Sequence, residues 1–314
     1  MNKKVKKVKV LVMLCVPLVI TAFISMRHLI SVANVEVDQQ TRSSENFRNE
    51  RTQTYRDVDF NMYSNHAILI NLTTGEIIFE HDAHERVYPA SLTKIMTVLV
   101  GIEQAESETM TVNADFTRLM LDNASIAGFE NGEERTLMDV LHGAMLPSGA
   151  DATATIAYNI AGSYEAFVEL MNQKASALGM DNTHFTNASG LHDENHYTTA
   201  YEMAILLRYA LEQPRFREVF TASVYPFTTG LGEQRVMSST LFANLSTTEF
   251  VGGEMIGGRT GFTNEAGRCL ASLATSGTDE FILVTLGADQ GAANQVAHIF
   301  DALTIYEYFL RNDA

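Results

Sequence analysis

Basic residues are scarce in this chain once its N-terminus is passed. From residue 31 onward, 16 Arg and Lys stand against 38 Asp and Glu, a net charge of −22. So acidic a surface repels the phosphates of nucleic acids, and the sequence contains no nucleic-acid recognition motif. We therefore expect no nucleic-acid partner, and we interpret the acidic surface as solubilising.

Cysteine is almost absent as well. Cys15 lies in an apolar N-terminal run and Cys269 lies near the C-terminal end. A disulfide between them would have to join a hydrophobic segment to the folded domain, so none is expected.

The N-terminus has the layout of an export signal. Five lysines, at positions 3, 4, 6, 7 and 9, precede the apolar residues 10–25. Extension to residue 30 gives the ~20 residues of a membrane span, so we favour an uncleaved anchor over a cleaved signal. The positive flank keeps the start of the chain in the cytoplasm and places the rest on the extracytoplasmic face of the membrane. We interpret residues 1–30 as signal or anchor, 31–59 as a polar tether and 60–314 as the folded domain.

The periodicity of the apolar residues predicts an α+β fold. Strand-like runs, 67–72 and 76–80, flank the turn Thr73-Thr74-Gly75. Helical spacing follows in 91–104, 137–146, 152–160, 164–178 and 199–211. Two further strands, 268–275 and 280–286, form a second hairpin before a final helix, about 294–310. This order predicts an antiparallel sheet built from both ends of the chain, with a helical subdomain inserted between them.

Ser91 and Lys94 form a first candidate catalytic pair. They open a predicted helix, where positions i and i+3 share a face, so the amine can reach the hydroxyl. A serine needs a base to become a nucleophile, and a lysine is a base only if its pKa is lowered. Only Lys94 and Lys174 follow residue 9, which favours a function for Lys94. Taken alone, Ser91 also fits a helix N-cap.

Two more motifs carry candidate functional residues. Ser148, in Pro147-Ser148-Gly149, lies between two predicted helices and fits either a turn in a cleft or an N-cap. Arg259, in the segment Gly257-Gly258-Arg259-Thr260-Gly261, offers a forked cation beside a hydroxyl, which suits a carboxylate. The alternative for this segment is a glycine-rich edge strand with a solvated arginine.

The order of the three motifs resembles that of penicillin-interacting serine enzymes. The surrounding residues resemble the D-alanyl-D-alanine carboxypeptidase family, the low-molecular-mass penicillin-binding proteins, more than the β-lactamases. The similar segments are Tyr88–Thr97, Phe185–Asn187, Gly190-Leu191, His196–Thr199 and Gly258–Thr263. The resemblance extends from about Ala67 to Leu310.

The resemblance implies a role for each candidate residue. Ser91 attacks the carbonyl between the last two D-alanines of a peptidoglycan stem peptide, and Lys94 takes its proton. Ser148 relays a proton to the leaving amine. The terminal carboxylate is held in the strand motif, and backbone N–H groups form the oxyanion hole. The implied binding residues are Arg259, Thr260, Gly261 and Phe262. The family needs no metal or organic cofactor, and β-lactams are its covalent inhibitors.

Two positions depart from the family pattern. Ala150 replaces the asparagine that ends the second motif, and a water or Asp151 is the candidate to compensate for the missing amide. Arg259 replaces the lysine that begins the third motif. Arginine keeps its charge, so we expect Arg259 to bind the carboxylate and to lower the pKa of Lys94 by like-charge repulsion.

Three other functions remain open at this point. A β-lactamase needs a carboxylate that activates water, and Glu165 and Glu169 lie on an ordinary amphipathic helix. A protein disarmed by Ala150 and Arg259 would bind peptidoglycan without cleaving it. A zinc peptidase would have to use His192 and His196, but Asp193 stands where such enzymes carry glutamate.

Overall fold

The structure is a computed structural model that describes residues 61–115, 124–288 and 295–311. The predicted anchor and tether, together with Cys15, lie outside these residues. Among the helices described, none is both long enough and apolar enough to cross a membrane.

A six-stranded antiparallel sheet is the centre of the fold. The strands described are β1 (His66–Asn71), β2 (Ile77–His81), β3 (Thr109–Thr111), β4 (Glu134–Thr136), β5 (Val224–Thr228), β6 (Gln234–Ser238), β7 (Glu249–Phe250), β8 (Gly253–Thr263), β9 (Gly267–Ser276) and β10 (Asp279–Ala288). The sheet order is β2-β1-β10-β9-β8-β7, and β3–β4 and β5–β6 form separate pairs. Because β1 pairs with β10, the two ends of the chain meet in one sheet, as the sequence predicts.

The helices lie between β2 and β5 in the chain, apart from the last one. They are α1 (Thr93–Gln104), α2 (Leu137–Met145), α3 (Ala150–Ala161), α4 (Tyr164–Ala177), α5 (Ala200–Leu211), α6 (Pro214–Thr221) and α7 (Ala297–Leu310). A 3₁₀ turn, Ala90–Leu92, leads directly into α1. Helix α1 contacts α2 through α6, and every residue from Thr93 to Gly101 is buried. The helix that carries the candidate base Lys94 is thus the core of the helical half.

Short-range signals set several helix ends. Thr136 and Asp139 form a capping box at the start of α2. The hydroxyls of Ser163 and Thr199 accept the N–H groups of Ala166 and Glu202 at the starts of α4 and α5. These caps fix the helices that enclose α1.

Apolar side chains cover both faces of the sheet. On one face, Tyr306 of α7 packs in a cluster that includes Leu69, Leu270 and Leu283 of the sheet. On the other, α5 packs on β1 and β10. The predicted α+β class is confirmed. Helix α6 and the β5–β6 hairpin were not predicted from the sequence.

Candidate active site

Ser91 lies in a strained turn rather than at a capped helix start. It is the middle residue of the 3₁₀ turn Ala90–Leu92, and no side chain caps either that turn or α1. The N-cap alternative for Ser91 is therefore wrong. Ala90 has φ +47°, a conformation that residues with a side chain rarely adopt and that is often found at functional sites.

Lys94 is buried beside the hydroxyl of Ser91. Its Nζ lies 3.2 Å from Ser91 Oγ and donates to the carbonyl oxygen of Ser189 at 2.5 Å. Burial lowers the pKa of Lys94 well below 10.5, and the charge of Arg259 lowers it further, while Asp151 acts in the opposite direction. Burial and the charge of Arg259 thus both favour the neutral amine, which is the form that can act as a base.

The hydroxyl of Ser148 also contacts the nucleophile. Its Oγ lies 3.1 Å from Ser91 Oγ. Ser148 itself has φ +68°, and the N-cap of α3 is Gly149, so the N-cap alternative for Ser148 is also wrong. Ser148, 57 residues further along the chain, thus meets Ser91 and Lys94 in one site.

Arg259 is fully buried behind the two serines, not solvated on an edge strand. Its Nη1 donates to Met145 O at 2.7 Å and its Nε to Ser91 O at 3.2 Å, while its Nη2 donates to Ser148 Oγ. Burial lowers the pKa of Arg259 to about 9, so the group stays charged at neutral pH. Because a guanidinium can only donate, Ser148 must accept, and its own proton is free to point toward Ser91.

Strand β8 continues from Arg259 along the nucleophile turn. The hydroxyls of Thr260 and Thr240 lie 2.7 Å apart. A Cβ on Gly261 would stand 2.9 Å from Ser91 N, so glycine permits the strand to approach this closely. Phe262 follows with an exposed ring, and Arg268 stacks on it at 4.8 Å. The carboxylate-binding and oxyanion roles of these residues stay predictions.

Asp151 does not face the site as a replacement for the missing amide. Its side chain is buried, and its oxygens accept the backbone N–H groups of Ala127, Gly128, Phe129 and Ala152 at 2.7–3.2 Å. The carboxylate therefore fixes the backbone of 127–129 against the start of α3. Next to it, Ala150 lines a cavity of about 460 Å³ that also contains Ala154, Tyr158 and Ser189.

The loop between α4 and α5 forms the second wall of the site, a role that sequence reasoning did not assign. The amide oxygen of Asn187 accepts the N–H groups of Ser189, Gly190 and Leu191. Gly190 has φ +83°, and a Cβ there would stand 1.9 Å from Ala90 O. The signal in the sequence was the Asn–Ala–Ser–Gly run before Leu191, which alone predicts only a turn.

His192 and His196 belong to the same loop but face different partners. The ring of His192 contacts Tyr88 edge-on at 4.7 Å. Both ring nitrogens of His196 contact protein groups, Thr93 Oγ1 and the N–H of Thr186. Within the described ranges, no group of three or more potential ligands is placed to hold a metal ion.

Comparison with known proteins identifies a matching family model and curated relatives that are D-alanyl-D-alanine carboxypeptidases. The family model described as D-alanyl-D-alanine carboxypeptidase, peptidase family S11, matches residues 46–290. The D-alanyl-D-alanine carboxypeptidase DacF of Bacillus subtilis is 36% identical over 226 residues, 71% of this chain and 57% of that protein. DacA of Escherichia coli is 31% identical over 231 residues, 70% of this chain and 55% of that protein. The chain thus spans less than three fifths of these relatives.

Solved structures show the same fold. The crystal structure of the Streptomyces K15 DD-transpeptidase has a TM-score of 0.70 at 26% identity, covering 80% of this chain and 99% of that one. The D-alanyl-D-alanine carboxypeptidase of Mycobacterium tuberculosis H37Rv has a TM-score of 0.69 at 23% identity, covering 84% and 98%.

Proposed function

Because this chain belongs to the D-alanyl-D-alanine carboxypeptidase family, we propose that it removes the terminal D-alanine from peptidoglycan stem peptides through an acyl-enzyme on Ser91. The observation that carries this proposal is the contact of Ser91 Oγ with both Lys94 Nζ and Ser148 Oγ, at 3.2 and 3.1 Å. A nucleophile, a base of lowered pKa and a second hydroxyl are the parts that serine acyl transfer needs.

In the acylation step, neutral Lys94 accepts the proton of Ser91 as Oγ bonds to the carbonyl carbon of the penultimate D-alanine. The oxygen of that carbonyl becomes an oxyanion, which the backbone N–H groups of Ser91 and Phe262 stabilise. The peptide C–N bond then breaks, and the departing amine takes the proton that Lys94 received from Ser91, which passes through Ser148. Arg259 orients Ser148 for this transfer because it donates to the same oxygen.

In the second step, water attacks the acyl carbon, the bond to Ser91 Oγ breaks and the serine regains its proton. The product is a stem peptide one residue shorter. Thr260 and the positive charge of Arg259 attract the terminal carboxylate of the substrate. The guanidinium acts mainly through its charge, since its nitrogens already bind Met145, Ser91 and Ser148. A β-lactam carbonyl would acylate Ser91 by the same attack.

The test is D-alanine release from an acylated Lys-D-Ala-D-Ala tripeptide by the purified full-length chain in detergent, with Ser91→Ala as control. Release by wild type and none by the variant is the expected result. Folded wild type that binds penicillin covalently without releasing D-alanine would point to a disarmed binding protein. Continuous hydrolysis of penicillin would point to a β-lactamase instead.

The proposal places the domain on the extracytoplasmic face of a bacterial plasma membrane, held by residues 10–30. Its support is the order of the N-terminal sequence, with five lysines before an apolar run. Alkaline extraction and protease digestion of spheroplasts test this location. A full-length chain that stays with the membrane and is digested from outside is expected, whereas an alkali-extractable or protected chain would refute the anchor or its orientation.

A further inference from the structure

The imidazole of His196 lies directly beneath the turn that carries the nucleophile. The side chain is buried, with only 2% of the residue exposed. Its Nε2 is 2.7 Å from Thr93 Oγ1, and Thr93 Oγ1 is 2.8 Å from Ala90 O. On the other side of the ring, the N–H of Thr186 points at Nδ1 from 3.0 Å. His196 therefore joins the loop between α4 and α5 to the backbone just before Ser91.

These hydrogen bonds form a series from Thr186 through His196 and Thr93 to Ala90. The groups at the two ends of the series, an N–H and a carbonyl, fix the direction of every bond in it. The N–H of Thr186 can only donate, so Nδ1 of His196 must accept. Burial lowers the pKa of His196 to about 4, so the ring is neutral and its proton lies on Nε2. Nε2–H then donates to Thr93 Oγ1, whose single proton donates to Ala90 O. The charged or titratable groups that act on the ring are Asp193, which opposes the shift, and His184, His192 and Lys94, which reinforce it.

The last acceptor in this hydrogen-bonded series is the carbonyl of Ala90, the residue with the strained backbone. Ala90, at φ +47°, precedes Ser91, and no side chain caps the turn. Such a conformation is unfavourable by itself and persists only where surrounding contacts impose it. The Ala90 carbonyl accepts from both the hydroxyl and the backbone N–H of Thr93, and the backbone of Gly190 lies so close to it that no Cβ would fit there.

The same loop contacts α1 at two further points. Ser189 O accepts from Lys94 Nζ at 2.5 Å, and Ala188 O accepts from Thr97 Oγ1 at 2.7 Å. His196 adds the contact at the other end of the loop. A loss of its bond to Thr93 would remove one of the restraints shared by the strained turn and the loop wall that positions the amine.

We propose that His196 is a positioning residue for acylation, which holds Thr93 and the Ala90–Ser91 turn so that Ser91 Oγ stays within reach of Lys94 Nζ. This role rests on the proposed acyl-enzyme chemistry. The ring does not touch the reacting atoms; it acts through the hydroxyl of Thr93.

Two amide variants separate this role from general support of the loop. In His196→Gln the amide nitrogen can replace Nε2 and donate to Thr93, whereas in His196→Asn the shorter amide can replace only Nδ1 and hold Thr186. Thr93→Val removes the hydroxyl at the next link with little change of shape. The measurements are the rate of acylation by a fluorescent penicillin, kcat and KM for D-alanine release, and the unfolding temperature.

We expect His196→Asn and Thr93→Val to lower the acylation rate and kcat by about 10–100-fold, with KM within about threefold of wild type. His196→Gln should recover most of the lost rate, although both amide variants unfold at similar temperatures. Equal rates for the Gln and Asn variants, or a wild-type rate in Thr93→Val, would overturn the proposal. If one of these variants fails to fold, nitrogen NMR of the wild-type His196 ring still tests the proposal.

Nitrogen NMR of the wild-type ring gives a readout that does not depend on activity. The proposal requires a neutral ring protonated on Nε2 at neutral pH, and a ring protonated on Nδ1 or charged at that pH would overturn it. Wild type that neither takes up penicillin nor releases D-alanine would refute the proposed function, and this role with it. Active wild type beside unaffected variants would refute only the role of His196.

Discussion

The carboxylate of Asp151 is inaccessible to solvent, and its replacement by asparagine is expected to destabilise the fold. One oxygen accepts the N–H groups of Ala127 and Ala152, and the other accepts those of Gly128 and Phe129. Asp151→Asn has nearly the same shape and removes one negative charge. The variant therefore tests the hydrogen bonds with little change in packing.

The expected magnitude comes from the second oxygen. In the variant, one pair of N–H groups keeps an oxygen acceptor, while the other pair, from Gly128 and Phe129, faces an NH₂ group that cannot accept. Each buried donor left without an acceptor costs about 1–3 kcal/mol, so the loss should be about 2–6 kcal/mol. In a domain of this size, 1 kcal/mol lowers the unfolding temperature by about 2–4 °C, so a drop of about 4 °C or more is expected.

Thermal unfolding followed by circular dichroism measures this loss, with Glu106→Gln as the matched control at an exposed carboxylate. The control should change the unfolding temperature by less than about 1 °C. An Asp151→Asn variant as stable as the control would refute the reasoning. If such a variant also lost D-alanine release, Asp151 would serve the reaction directly, as a substitute for the amide missing at Ala150.

Three further predictions concern the site. Because burial lowers the pKa of Lys94, the folded chain binds fewer protons than the unfolded chain. Wild-type stability should therefore rise with pH between the lowered pKa and 10.5 relative to Lys94→Met, as measured by urea unfolding at about pH 7 and about pH 9.5. Gly190→Ala should abolish penicillin acylation and cost more than about 3 kcal/mol, since its Cβ would meet a backbone oxygen; Gly179→Ala, with a similar positive φ but open space, should cost only about 1–2 kcal/mol. Arg259→Gln should move the pH–rate profile of D-alanine release to higher pH, because removal of the positive charge raises the pKa of Lys94, whereas Arg259→Lys should keep the profile.

Each of these predictions has an outcome that contradicts it. A stability difference between wild type and Lys94→Met that is the same at both pH values would show an unshifted lysine. Equal losses in Gly190→Ala and Gly179→Ala would show that the loop is free to withdraw from Ala90. A profile of Arg259→Gln that superimposes on that of wild type would show that the guanidinium does not affect the base.

The parts of the fold that the sequence predicted are those set by local patterns. The i, i+3 spacing of Ser91 and Lys94 becomes a contact because one helical turn is enough to make it. The strands around Gly75 and Gly277 were predicted because alternating apolar runs flank a turn. Helix α6 and the β5–β6 hairpin were missed: α6 is short, and β5 contains Pro226 and only one fully buried residue.

The parts that could not be predicted depend on distant partners. The sequence offers no signal for the positive φ of Ala90, because the contacts with Thr93 and Gly190 impose it. Arg259 is buried because the fold places β8 beside Met145, whose carbonyl accepts a hydrogen bond from the guanidinium. The contact of Lys94 with Ser189 spans 95 residues. None of these three features follows from the spacing of residues along the sequence.

Ala150, where the chain departs from the family pattern, and the loop that contains His196 both bear on how Lys94 is oriented. The asparagine that the family pattern has at 150 could bond the lysine or a substrate carbonyl; in this chain, Lys94 Nζ donates to the backbone carbonyl of Ser189. The position of this backbone carbonyl depends on the position of the loop that contains it. The orientation of the base therefore depends on the contacts that dock this loop, through Asn187, Gly190 and His196, rather than on the residue at 150. For this reason, changes in the loop should impair acylation more than changes at Ala150, which lines a cavity beside the site.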